Sequence, residues 1–176
     1  TSYARRFHRY IYTGIPDVSN IIITSAYADL TGLDNPWPAV SDELKSAQNN
    51  VKTIPTIGYH AGSATLSRWS LYKQIRQANE FIAYAHVIPQ NGDVADFIDE
   101  KELALLKNEA RFLRAYYHYL LFELYGPIPI MTEIADPSAA DLDYYRNSVD
   151  EVVAFIDKEL NECYDLLPVS YTHLRA

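Results

Sequence analysis

The apolar positions of this chain fall into four stretches with a period of three to four residues. Each stretch is bounded by residues that cap or break a helix. Tyr3, Phe7, Tyr10 and Ile11 predict a short helix over Ser2–Tyr12, with Ser2 as cap and with Gly14 and Pro16 as its stop. Leu71, Ile75, Ala78, Ile82 and Ala85, flanked by Trp69 and Tyr72, predict a second over Leu66–Val87, ended by Pro89 and Gly92. The longest, Asp99–Tyr125, carries one row at Leu103, Leu106, Ala110, Leu113, Tyr117, Leu120 and Leu124. A second row, Leu105, Phe112, Tyr116 and Tyr119, runs beside it. One apolar row buries a helix against one neighbour, so two rows predict burial between two. Gly126 is placed to cap this helix and Pro127 cannot continue it. Pro127 and Pro129 then predict extended backbone through Ile128 and Ile130. The last stretch, Ser148–Leu167, opens on a Ser148/Glu151 capping box and buries Val149, Val152, Ile156, Leu160, Cys163 and Leu167 before Pro168 ends it.

The fold class that follows is all-α, with a long irregular region near the N-terminus. Residues 15–65 carry Pro16, Pro36, Pro38, Pro55, Gly32, Gly58 and Gly62, which interrupt any long regular element. Ser41 is placed to cap one or two turns over Asp42–Gln48. Long irregular segments in compact domains tend to carry function. The three main helices are predicted to begin at residues 66, 99 and 148, so the intervals are 33 and 49 residues. The first interval suits a helix-hairpin repeat of about 34 residues and the second does not. Repeat units bury their faces only against neighbours, so the two-sided third helix predicts further packing partners.

Composition narrows the function more than the fold. The chain has 176 residues, 48% hydrophobic and 22% charged, enough for a globular core. Its net charge of −8 argues against a phosphate-backbone partner, and no nucleic acid is expected. Fifteen tyrosines supply flat apolar faces with polar tips, suited both to stacking on sugars and to joints between helices. The lone cysteine, Cys163, sits on the buried stripe of the last helix and reads as a core residue. No run of residues is long and apolar enough to span a membrane. Residues 1–13 are too polar and basic for a signal-peptide core.

Sites of chemistry are few. Asn91, Asp93 and Glu102 occupy calcium-loop positions, but Ala95 replaces a ligand and Asp96 the turn glycine. The acidic residues there fit better as partners of the helix dipole. His8, His60, His86 and His118 lack metal-ligand spacing, and neither a nucleophile elbow nor a phosphate loop occurs. No metal, cofactor or catalytic residue is therefore expected. Glu109, Arg111 and Arg114 read as charges that orient the long helix, and Asn79 as an interhelical hydrogen bond. Ligand contact falls instead on the irregular region. Trp37 stands between two prolines, Tyr59 and His60 lie in a loop flanked by Gly58 and Gly62, and Tyr27 is a further candidate.

Three segments in order carry a family resemblance. Trp69–Ile82, WSLYKQIRQANEFI, is followed by Asn108–Glu133, NEARFLRAYYHYLLFELYGPIPIMTE, and by Arg146–Pro168, RNSVDEVVAFIDKELNECYDLLP. Together with Ser41-Asp42-Glu43, they resemble the SusD/RagB family of outer-membrane nutrient-binding lipoproteins. The signature positions are Trp69, Tyr72, Asn79, Glu109, Arg111, Arg114, Tyr117, Gly126 and Pro127. The resemblance implies a tetratricopeptide-like scaffold over residues 1–168, incomplete relative to the family, with residues 169–176 as a non-native tail. It also implies surface capture of oligosaccharides or polysaccharides without catalysis, and delivery to a SusC-like TonB-dependent transporter. A lipid anchor at the outer membrane belongs to that expectation, its signal and lipobox lying outside this sequence. The alternative is a helical-repeat scaffold that binds a protein and no sugar.

Overall fold

A long helix opened by Asp99 is flanked by three others. The computed structural model describes residues 2–15, 41, 60–62, 67–88, 98–134, 138 and 143–167. Among these, α1 spans Ser2–Ile11, α2 Leu71–Tyr84, α3 Glu100–Tyr125 and α4 Val149–Tyr164, with a 3-10 turn at Tyr12–Gly14 after α1. The chain divides into two compact units, Thr1–Gly14 with Leu71–Ala176, and Ile15–Ser70. All four helices belong to the first unit.

Local chemistry sets the helix ends. The Asp99 carboxylate accepts from the Glu102 N–H at 2.7 Å, filling one of the orphan donors of the first turn of α3. At the other end Gly126 adopts φ 66°, and its N–H donates to the Phe122 carbonyl at 2.8 Å. The capping box of α4 is complete: the Ser148 N–H donates to Glu151 Oε2 at 2.8 Å and the Glu151 N–H to Ser148 Oγ at 3.3 Å. Helix α2 stops at Tyr84, ahead of the expected Pro89, and His86 Nδ1–H donates back to the Tyr84 carbonyl at 2.8 Å. Its start also moves, to Leu71 in place of Leu66, because residues 69–70 form a turn.

Packing follows from the side chains that meet. Tyr72 faces His118, and Asn79 meets Arg114, so α2 runs antiparallel to α3. Phe155 faces His118 and Glu159 meets Arg114, which sets α4 antiparallel to α3 on another flank. Helix α1 runs parallel to α3: Arg5 forks Glu102 at 2.7 and 2.9 Å, and Tyr12 O–H donates to Glu109 at 3.0 Å. Ile75, Ala78, Leu113, Tyr117, Leu121, Val152 and Cys163 form the fully enclosed core, and Ile11 closes it from α1. Gly14 is required where the turn crosses this core. A Cβ there would lie 2.8 Å from Gln74 Cγ and 3.1 Å from the Tyr117 ring.

The first apolar row of α3 is buried over Ala110, Leu113, Tyr117 and Leu120. The second row is not: Phe112 is 36% and Tyr119 45% exposed. The second buried face comprises Arg114, Ala115, His118, Leu121 and Tyr125. Two of these are polar, and hydrogen bonds to neighbouring segments make their burial possible. On α1 likewise, Tyr3 and Tyr10 face solvent, while Ile11 and His8 are buried.

Replacing Ser148 by Ala removes the acceptor of the capping box and is expected to destabilise the protein by about 1 kcal/mol. Urea unfolding should show a lower midpoint with an unchanged slope.

Candidate functional site

The segment after α3 takes no regular secondary structure and has no strand beside it among the described residues. Its backbone polar groups must therefore find other partners or lose free energy on burial. Pro127 and Pro129 carry no N–H, which leaves mainly carbonyls to satisfy. Side chains supply the donors. Arg146 donates to the Pro127 carbonyl at 3.2 Å and Tyr72 O–H to the Pro129 carbonyl at 2.7 Å. Asn79 Nδ2 donates to the Met131 and Glu133 carbonyls at 3.1 and 3.2 Å, and Arg114 to the Thr132 carbonyl at 3.4 Å. Asn147 uses its backbone N–H for the Ile128 carbonyl and its side-chain oxygen for the Ile130 N–H, each at 3.0 Å. The Met131 N–H donates to His118 Nε2 at 3.1 Å.

His118 is fully enclosed, and its second nitrogen is engaged as well. Nδ1 lies 2.8 Å from the Arg114 carbonyl, which accepts its proton. The ring is thus held neutral with both nitrogens bonded, and burial lowers its pKa from 6.5 to about 4.

An ionic cluster lies next to this clamp. Arg114 donates to Asn79 Oδ1 at 2.9 Å and to Glu159 Oε2 at 2.7 Å. Arg111 reaches the other oxygen of Glu159 at 3.0 Å and also pairs with Glu162. Burial pushes the Glu159 carboxyl upward, but hydrogen bonds and charge from Arg111 and Arg114 outweigh it, and the net shift is down. Glu109 behaves oppositely: burial raises its carboxyl, partly countered by the hydrogen bond from Tyr12. The Tyr117 hydroxyl donates to the Ile11 carbonyl and so ties α1 to the centre of α3.

The signature residues therefore converge on scaffold contacts, and the ligand candidates do not join them. Trp37, Tyr59 and Tyr27 lie outside the described residues. His60 is exposed and accepts the Gly62 N–H on Nδ1 at 3.1 Å, while Trp69 donates its indole N–H to the Ala61 carbonyl at 2.8 Å. Of the calcium-loop positions only Glu102 is described, and it is engaged by Arg5. Among the described residues no cluster of three His, Cys, Asp or Glu side chains is placed to hold a metal ion. A recess of about 360 Å³ lies between α1 and the end of α2, lined by Tyr3, Phe7, Phe81, Tyr84, Ile98 and Leu103 among others. Apart from Glu80 and His86 its lining side chains are aromatic or aliphatic.

Sequence reasoning passed over His118, Glu159 and Asn147. Glu159 had a readable signal: it shares a face with Val152, Ile156 and Cys163, so a carboxylate lay in an apolar stripe. His118 follows Arg114 by four residues on the same face of α3. Asn147 has no such signal, since only the fold brings it beside residues 128–130.

A family model described as SusD-like, starch-binding and associating with outer membrane, matches residues 20–176. The chain belongs to the SusD-like family. Its fold is similar to that of a laminarin-binding SusD-like protein, with a TM-score of 0.68 and 20% identity over 96% of this chain and 34% of that one. A SusD-like protein from Bacteroides fragilis NCTC 9343 matches with a TM-score of 0.56 and 15% identity, over 95% of this chain and 29% of that one. A SusD-like carbohydrate-binding protein from the same organism matches at 0.55 and 17%, over 95% and 31%. No curated protein matches the chain. At these identities the likeness to solved structures is one of fold, and the chain spans about a third of the first of them, 34%. The all-α, tetratricopeptide-like class expected from the sequence is the class of the described SusD-like helices.

Two predictions follow from the clamp. Arg114→Met leaves Glu159 and the Thr132 carbonyl short of a donor, and is expected to destabilise by about 3–5 kcal/mol. Arg111→Met, at a more exposed position, should cost clearly less in the same chemical-denaturation measurement. The second concerns pH. Unfolded, His118 takes up a proton below about 6.5, while the folded ring resists until about 4. The unfolded state binds more protons in that window, so stability is full above it and declines as pH falls through it. Glu159, held down by its arginines, acts in the same direction below the ordinary carboxylate value of 4.5. Melting temperature should fall across this range. His118→Gln keeps an acceptor for Met131 without a titrating ring and should reduce the decline between 6.5 and 4, the remainder belonging to His8, which burial also lowers to about 4.

Proposed function

We propose that this chain forms the helical scaffold of a surface protein that captures glycans at the outer membrane without chemistry. In this reading it hands them to a SusC-like TonB-dependent transporter and is held at the membrane by a lipid anchor on the whole protein. The observation that carries the reading is the match of residues 20–176 to a family described as starch-binding and associating with outer membrane. The described geometry is consistent with it. The charged residues most suggestive of an active site, Arg111, Arg114 and Glu159, bond to one another and to backbone, which leaves them little freedom for a substrate. Tyr72, Asn79 and Tyr117 are likewise engaged with backbone carbonyls.

Glycan contact is assigned to Trp37, Tyr59, His60 and Tyr27. A ring between two prolines and a pair in a glycine-flanked loop would present flat faces to a pyranose, with polar atoms for its hydroxyls.

The test is titration calorimetry with starch-derived and laminarin-derived oligosaccharides. At least one series should bind. Trp37→Ala or Tyr59→Ala should weaken binding about tenfold, or 1.4 kcal/mol, with melting unchanged. Absence of binding to any glycan, with no transporter co-purifying with the longer protein, would sink the proposal. Lost stability in these variants without a sugar phenotype would favour the protein-binding scaffold instead.

A further inference from the structure

We draw no further inference here: the strongest candidate, the aromatic row of exposed Phe112 and Tyr119 with half-buried Tyr116 along α3, carries nothing because nothing in the structure shows what covers it.

Discussion

The fold depends on satisfying the backbone of residues 127–133. An extended segment leaving a helix ordinarily joins a sheet, which answers its carbonyls and amides at every second residue. Here two prolines remove donors, and no strand accompanies the segment among the described residues. The partners come from three directions instead: Tyr72 and Asn79 on α2, Arg114 and His118 on α3, and Arg146 with Asn147 ahead of α4. Because these partners are divided among three parts of the fold, the segment can be satisfied only if α2, α3 and the approach to α4 are all in place. It therefore acts as a joint that couples local helix formation to tertiary packing.

The same logic explains why charge is tolerated inside. Arg114 is 7% exposed and Glu159 6%, a pairing whose desolvation cost rivals its Coulomb energy. What offsets that cost is multiplicity. The guanidinium serves a carboxylate, an amide oxygen and a backbone carbonyl at once, and the carboxylate receives a second arginine. Leucines of similar volume would fill the space but leave the Thr132 carbonyl and Asn79 Oδ1 without the donor that Arg114 supplies. The ion pair is thus better understood as setting the register of α2, α3 and α4 than as a reserve of stability, an argument a double-mutant cycle of Arg114 with Asn79 addresses directly.

Much of this was legible before the structure. The caps at Gly126 and Ser148 are local events, determined by a few neighbouring residues, and they appear where the pattern placed them; Asp99, expected as the first residue of the long helix, is its N-cap. The main row of α3 was legible because apolar side chains at three-four spacing have one place to go. The second row misled because aromatic residues look like core on any helix. Periodicity reports which side chains can be buried, whereas His118 and Arg114 are buried for what they donate and accept. That need arises from a carbonyl-rich segment distant from α2 in sequence and visible only as two prolines. The glycan candidates were chosen by loop chemistry, and Trp37, Tyr27 and Tyr59 belong to a part of the chain outside the described residues.

The residues that reveal the family and those assigned to the ligand separate for a physical reason. A side chain that closes a backbone joint has its polar atoms committed and its rotamer fixed, so replacing it costs stability. Tyr72, Asn79, Arg114 and His118 are of this kind. A side chain that recognises a particular sugar must instead keep a face or a polar edge open to solvent, and its replacement changes specificity more than stability. His60 is exposed, whereas Asn79, Arg114 and His118 are buried. Strong sequence signatures in such scaffolds therefore point to the joints between helices, and a ligand's contacts are to be sought among residues not committed to those joints.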